Sequence, residues 1–442
     1  MKTSVWMRHL VGLCGGLAGI SAVADQFHYN NALVGERAMG LGGAYCAVAD
    51  DASGVVYNPS GLAFALSNDI SGSATVPISG RKIEYKKTIE DKSFTENSEG
   101  KFSPFVGTLW KMDHISPGLV FAFGFWTSDA ELKDQNDLIE LPDKGITRFH
   151  RTVNLRASTD YIGAAFAKRF GSKLSLGLGV NYFSTDELLQ EYQDALTVAD
   201  FTTPLFQVLT QNIRQRLTVS GLEPVLGAQA VFGRLTLGLM IKTPIIMSQN
   251  FENGVERHIM TIDANRVAQS AITRGVVDKE QESPIGNWPA EYRLGAALFA
   301  STTLMWSFDV SHRTGAEGEV SYYDRDAVTN IGTGLEWYAT SSLPVRLGFF
   351  TNYDARPEVK KCPASVATNK ECQEQGFTDQ RDHVDYNGLS LFIGWVQPNS
   401  SISFGGVVQS GSGQAQKIGS SRNIQDVEAM SYALAYSASH NF

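Results

Sequence analysis

The sequence predicts an all-β protein: a transmembrane antiparallel β-barrel of about fourteen strands, with a small plug formed by the residues ahead of the first strand. Three observations carry this. Apolar residues alternate with small or polar ones, period two, in one segment after another. The connections between segments alternate between tight turns and long polar stretches. The chain also ends on a strand with one aromatic, apolar face, and its last residue is Phe442.

Composition sets the bounds. Only 19% of the 442 residues are charged, and 42 are glycine. No apolar run approaches the roughly 20 residues of a spanning helix, which excludes a polytopic helical membrane protein. A hydrophobic content of 43% is enough to bury a large core, which excludes a disordered chain. The net charge of -9 leaves no basic footprint for nucleic acid.

Alternation is cleanest over 174–183, where Leu174, Leu176, Leu178, Val180 and Tyr182 share one face and Ser175, Gly177, Gly179, Asn181 and Phe183 the other. Leu235, Leu237, Leu239 and Ile241 repeat the pattern against Thr236, Gly238, Met240 and Lys242. Segments of this kind fall near 69–79, 103–111, 118–127, 151–170, 174–190, 218–232, 235–249, 289–300, 303–314, 328–338, 343–353, 385–396, 401–410 and 428–442. Short turns such as Gly171-Ser172 and Gly233-Arg234 join some of them. Long polar stretches near 80–102, 128–150, 193–216, 250–288, 354–384 and 411–427 join the others. Tight turns at one end and long loops at the other mark an outer-membrane barrel, and an even strand number leaves both termini at the periplasmic end. In the last strand Met430, Tyr432, Leu434, Tyr436, Ala438, His440 and Phe442 suit lipid and its interface, while their neighbours are small and polar. The bacterial outer membrane is the expected location of a barrel comprising 69–442.

The N-terminus supports export. Lys2 and Arg8, the apolar stretch Leu10 to Ile20 and the Ala22-Val23-Ala24 site read as a signal peptide over 1–24. Cys362 and Cys372 lie ten apart in a polar segment and are read as a loop disulfide or as two loop thiols. Cys46 is read as a small buried residue.

Residues 25–68 do not alternate. They contain Arg37-Ala38-Met39-Gly40-Leu41-Gly42-Gly43-Ala44, then Ala49-Asp50-Asp51-Ala52-Ser53, then Asn58-Pro59-Ser60-Gly61-Leu62-Ala63. Glycines, cap-forming Asp and Ser, and Asn58-Pro59 suit a compact plug folded into a lumen. These three motifs, in this order, resemble the N-terminus of the FadL/OmpP1/TodX family. The resemblance implies a fourteen-stranded outer-membrane barrel with an N-terminal hatch that imports long-chain fatty acids or other hydrophobic compounds. Asn58 and Pro59 match the family's hatch Asn-Pro motif, and Ser60 stands where Ala is usual. The Arg-Ala-x-Gly form also occurs in FadL-like barrels with structural or secretion-accessory roles, which is the alternative reading.

The remaining site residues follow from a hydrophobic-import reading. The loop 193–216 carries apolar residues at roughly helical spacing, among them Phe201, Leu205, Phe206 and Leu209, as a surface capture site. Phe183, Met240, Phe299, Phe350 and Phe392 fall on inward registers and would line a greasy lumen, where neighbouring glycines leave room for a ligand. Arg293 and Arg346, also inward, would meet either a carboxylate head group or a lumen salt bridge with Glu336 or Asp309. By resemblance the third strand kinks to open the wall sideways, and Gly124 lies in that strand. The hatch, with Asp50, Asp51, Asn58, Pro59, Ser60 and Gly61, would shift to open a path. There is no G-x-S-x-G, H-E-x-x-H or C-x-x-C motif, and the histidines are scattered, so neither an enzyme nor a metal or cofactor is expected. The expected partners are a hydrophobic small molecule and outer-membrane lipid, with no nucleic acid, for a monomer.

Overall fold

A computed structural model describes residues 26–89, 92–99, 102–140, 146–198, 206–262, 267–277, 285–319, 323–359, 380–416 and 424–442. The signal segment 1–24, with Cys362 and Cys372, lies outside the described residues.

The strands are β1 (Asp69–Ile89), β2 (Lys92–Glu99), β3 (Ser103–Lys111), β4 (Leu119–Glu140), β5 (Ile146–Phe170), β6 (Leu174–Val198), β7 (Phe206–Phe232), β8 (Leu235–Lys242), β9 (Ile245–Ile262), β10 (Ala268–Val277), β11 (Glu291–Phe299), β12 (Leu304–Arg313), β13 (Val328–Thr340), β14 (Leu343–Asn352), β15 (Gln380–Gln397), β16 (Ser400–Gln416) and β17 (Gln425–Asn441). All pair antiparallel in one sheet, and β1 closes on β17 from Asp69↔Asn441 upward. Three pairs of strands, β2 with β3, β8 with β9 and β10 with β11, each share one place in the wall, so the barrel has fourteen staves.

The alternation does what period two requires in lipid. Leu174, Leu176, Leu178, Val180 and Tyr182 point outward and are exposed, as are Leu235, Leu237, Leu239, Trp306, Leu391, Ile393, Phe404 and Tyr432 on other staves. Closure pairs the backbone within the wall, which is what a spanning sheet needs. No helix among the described residues is long and apolar enough to cross a membrane.

The long connections differ from the sequence expectation. About 9–11 residues per strand suffice to cross a bilayer, yet β6 has 25 residues and β7 has 27. Much of 80–102, 128–150, 193–216 and 250–288 continues as paired strand above the apolar belt. The outward face of β6 turns polar after Tyr182, with Ser184 and Asp186, while the buried inward face carries Thr185, Glu187 and Glu191, so the apolar–polar contrast of the period-two signal fades while the ladder goes on.

Residues 26–68 lie inside the barrel. They form two short helices, α1 (Glu36–Gly40) and α2 (Gly54–Tyr57), and a 3-10 turn at Pro59–Phe64. Most of their side chains are buried against the wall.

Candidate functional site

The inner segment is seated at the periplasmic end on a belt of wall glycines. Gly177 and Gly227 face each other across β6 and β7, as do Gly238 and Gly295 across β8 and β11, and Gly334 and Gly348 across β13 and β14. A Cβ at Gly177 or Gly227 would come closer than 3.0 Å to the Asn58–Ser60 turn, at Gly238 or Gly295 to Cys46, and at Gly334 or Gly348 to Leu41 or Gly42. The inward glycines therefore make room for the backbone of the inner segment rather than for a ligand.

The Asn-Pro-Ser-Gly turn is locked from within. Asn58 Oδ1 accepts from Ser60 N at 3.1 Å and Ser60 Oγ at 2.7 Å, and Asn58 Nδ2 donates to Cys46 O at 2.8 Å. Pro59 takes the first position of the 3-10 turn, where its missing N–H costs nothing. Gly61 packs directly on Ala49 O.

Charge fastens the other side. Arg37 makes a two-pronged contact with wall Glu336, at 3.0 and 3.1 Å, and reaches Asp50 at 2.6 Å. Arg346 donates to Glu336 at 2.7 Å and to Ser403 at 3.0 Å, and Ser403 donates to Glu36 at 2.7 Å. Burial works against the charged Arg37, but Asp50 and Glu336 hold its pKa well above the ordinary value. Asp51 accepts from Tyr45 Oη at 2.9 Å and from Ser53 Oγ at 2.5 Å. Burial raises its pKa, opposed by the Ser53 hydrogen bond. Burial pushes Tyr57 up to about 12 and the Cys46 thiol well above its usual range. Among the described residues no group of His, Cys, Asp and Glu is arranged to hold a metal ion.

Above this base lies a cavity of about 90 Å³. Residues 26–34 of the inner segment and Tyr57 form one side, and Trp126, Tyr161 and Trp288 supply an aromatic wall. Trp126 stacks on Tyr161 at 5.1 Å, Phe183 lies 6.0 Å from Tyr161, and Trp288 lies 5.1 Å from Phe183. The opposite side carries Glu291, which is paired with Arg293 at 2.7 Å, Lys242 at 3.6 Å and Arg313.

The expected lumen residues are spread over different heights. Phe183 backs the cavity. Met240 packs with Cys46 and Val225, and Phe350 and Phe392 pack with Leu33 and Met39, so the inner segment covers all three. Phe299 keeps the inward register but ends its strand at the periplasmic rim, 39% exposed, and lines no lumen. Alternation gives a residue's face but not its height on the stave. Arg293 and Arg346 are not poised for a head group: Arg293 meets Glu291 and lies 3.9 Å from Asp309, and Arg346 meets Glu336. Sequence reasoning missed Trp126, Tyr161, Trp288 and Glu291. The first two stand on the inward registers of their strands, so an inward aromatic pair was available as a signal.

The capture loop is also corrected. Phe206 and Leu209 belong to strand β7, and Leu209 pairs with Ala195 and Ile259, so helical spacing does not describe this segment. Phe201 and Leu205 lie outside the described residues. Gly124 does not interrupt the wall. It pairs with Gly107 and Gly163, and a Cβ there would sit 3.1 Å from Val55 Cγ2 of the inner segment. The interruption comes just beyond it. Pairing of β3 with β4 ends at Phe105↔Trp126 and pairing of β2 with β4 begins at Glu99↔Leu132, so Thr127–Glu131 have no strand partner on that side among the described residues. A register shift at Thr127/Asp129 accompanies it. Trp126 and Ser128, at this break, also line the cavity.

No protein-family model matches the chain, and no curated protein does. Solved structures do. A FadL homologue from Pseudomonas aeruginosa matches with a TM-score of 0.59 at 12% identity, covering 94% of this chain and 100% of its own. The P. putida toluene transporter TodX matches with 0.58 at 13% identity, covering 93% and 99%. The Ralstonia pickettii toluene transporter TbuX matches with 0.55 at 12% identity, covering 93% and 99%. A closed antiparallel barrel with an apolar outer belt belongs to the bacterial outer membrane. Over nearly its whole length, the chain has the fold of the FadL homologue and the toluene transporters.

Proposed function

We propose that the protein is a passive outer-membrane channel for the uptake of small hydrophobic compounds, and not an enzyme. The observation that carries this is the aromatic cavity above the seated inner segment, which lies beside Thr127–Glu131, where β4 has no partner toward β2 and β3 among the described residues. An engineered cavity of about 150 Å³ holds benzene. A cavity of about 90 Å³ therefore takes at most one ring without rearrangement. A long-chain fatty acid would need residues 26–34 to move aside, and Arg293 and Arg346 offer its carboxylate no unpaired charge. In this reading Asn58, Pro59, Ser60, Gly61, Asp50 and Asp51 anchor the inner segment. Ligand reaches the cavity from the extracellular side and leaves sideways past Trp126 and Thr127.

Proteoliposomes loaded with a hydrocarbon-binding trap test it. Toluene entry several-fold above protein-free vesicles is expected, with palmitate entry smaller. No acceleration of either probe would overturn the reading, and a stoichiometric protein partner with no transport would favour the accessory-barrel alternative.

A further inference from the structure

The tight turns at the periplasmic end do not share charge evenly. Those joining β3 to β4, β5 to β6 and β7 to β8, with the strand ends beside them, carry Lys111, Lys168, Arg169, Lys173 and Arg234 against one acid, Asp113. Those joining β11 to β12, β13 to β14 and β15 to β16 carry no Asp, Glu, Lys or Arg over 297–306, 338–345 and 395–402. Lys111 meets Asp113 at 3.8 Å. Lys168 instead donates to Ser116 Oγ at 2.5 Å and Arg234 to Ala300 O at 3.0 Å, both neutral acceptors. Among the described residues, Lys168, Arg169, Lys173 and Arg234 have no carboxylate partner, so an arc of unbalanced positive charge covers one side of the rim.

This arc stands where the apolar belt ends. Phe170 and Phe232, 48% and 61% exposed, point outward from the last residues of β5 and β7, just ahead of the turns that carry Lys173 and Arg234. Leu174 and Leu235 then begin the following strands. Lys168 reaches further into the belt. It keeps the outward register of its strand between Phe166 and Phe170, and it pairs with Leu119 on β4 and Leu176 on β6. Beside it Phe166 lies 4.9 Å from Phe121, and Phe121 stacks on Trp110 at 5.8 Å. A lysine in that setting keeps its stem in the apolar layer and brings its ammonium to the head-group level.

The setting selects the occupant. Fixed positive charge at a membrane surface attracts anionic head groups, and aromatic side chains suit the same layer. A protein docking from the periplasm would meet the turns, whereas Lys168 and the row Phe166, Phe121, Trp110 face lipid. We propose that this arc is a binding site for anionic phospholipid of the periplasmic leaflet, with the phosphate on Lys168 and the turn cations and the chains along the aromatic row. Such a site needs only the outer-membrane location and goes beyond the channel reading.

Native mass spectrometry of the full chain, extracted from vesicles of equal parts phosphatidylethanolamine and phosphatidylglycerol, tests it. Retained phosphatidylglycerol is expected in several-fold excess over phosphatidylethanolamine. The excess is expected to vanish when Lys168→Gln, Lys173→Gln and Arg234→Gln are combined. A second arm needs no variant and decides the matter if the triple substitution does not fold. In the parent, the excess should fall on extraction at about 1 M salt, where screening leaves charges a reach of only about 3 Å. Equal retention of the two lipids by the parent, or an excess unchanged by the substitutions or by salt, overturns the lipid site. An acidic periplasmic protein held by the parent and lost by the variant, with no lipid excess, also overturns it and assigns the arc to protein docking.

Discussion

The two halves of the lumen use the same inward register for opposite ends. In the periplasmic half a belt of inward glycines lets the backbone of the inner segment lie directly on the wall at Asn58, Cys46 and Leu41, between anchoring side chains such as Glu336 and Arg346. In the extracellular half the inward residues are Trp126, Tyr161, Glu291 and Arg293, and a cavity remains between them and residues 26–34. Where the wall gives up its side chains the plug is seated and space disappears. Where it keeps them, the plug is held off and space for a ligand appears. In the proposed function the lower half is the seal and the upper half the site.

The largest effect is expected where the seal's charges meet. Glu336→Ala takes the shared carboxylate from Arg37 and Arg346, both largely shielded from water. Breaking a buried ion pair on one side costs about 3–5 kcal/mol. Thermal unfolding in detergent should show it, and adding Arg37→Met should recover part of the loss. Next comes Gly177→Val, which drives a branched side chain into the Asn58–Ser60 turn. Overpacking of this kind costs about 1–3 kcal/mol, and it should leave residues 26–68 open to protease while the barrel wall still resists.

Changes in the upper half should move selectivity more than stability. Trp126→Leu widens the cavity, and uptake of a two-ring hydrocarbon relative to toluene should rise several-fold, about 1 kcal/mol on a scale where 1.4 kcal/mol is tenfold. Comparable ratios in the variant and the parent would mean that Trp126 does not border the path.

The smallest expected effect is a pH dependence of the seal. Burial, opposed by the Ser53 hydrogen bond, raises the folded-state pKa of Asp51 above its ordinary value of 3.8. A carboxyl raised on folding binds its proton more tightly in the native state. Its contribution to stability is therefore full below the ordinary value and is lost as pH rises through the folded value. Protease resistance of the inner segment should decline across that window, and Asp51→Asn should flatten the decline.

Much of the barrel was legible because lipid imposes a strict code. Leu174 to Tyr182 and Met430 to Phe442 present one apolar face at period two, and a sheet with that pattern satisfies its backbone in a bilayer only by closing. The code stops at the water line, which is why β6 and β7 run on through what reads as loop. Within the lumen, period two places Met240, Phe350 and Phe392 inward but says nothing of height, and height decides whether a side chain meets plug or cavity. The plug's Asn-Pro-Ser-Gly turn was visible, whereas its seat on Gly177 and Gly227 depends on staves that are far away in sequence. Likewise Arg346 and Glu336 lie ten residues apart across a hairpin, but Arg37 joins them only once the barrel closes.

The central claim is that the inner segment's base is a fixed seal and that ligand passes above it. A built Cβ on Gly332 lies 3.6 Å from Ala44 Cβ, close to the separation of about 3.8 Å found in disulfides, and 2.9 Å from Gly42 O, so the Gly42 carbonyl must give slightly for the bridge to form. Ala44→Cys with Gly332→Cys, in a chain lacking Cys362 and Cys372, would therefore staple the base to the wall. Toluene entry into proteoliposomes, measured on the oxidised and reduced forms of this variant, is the direct test. Equal rates in the two forms are predicted; entry that stops on oxidation and returns on reduction would contradict the account.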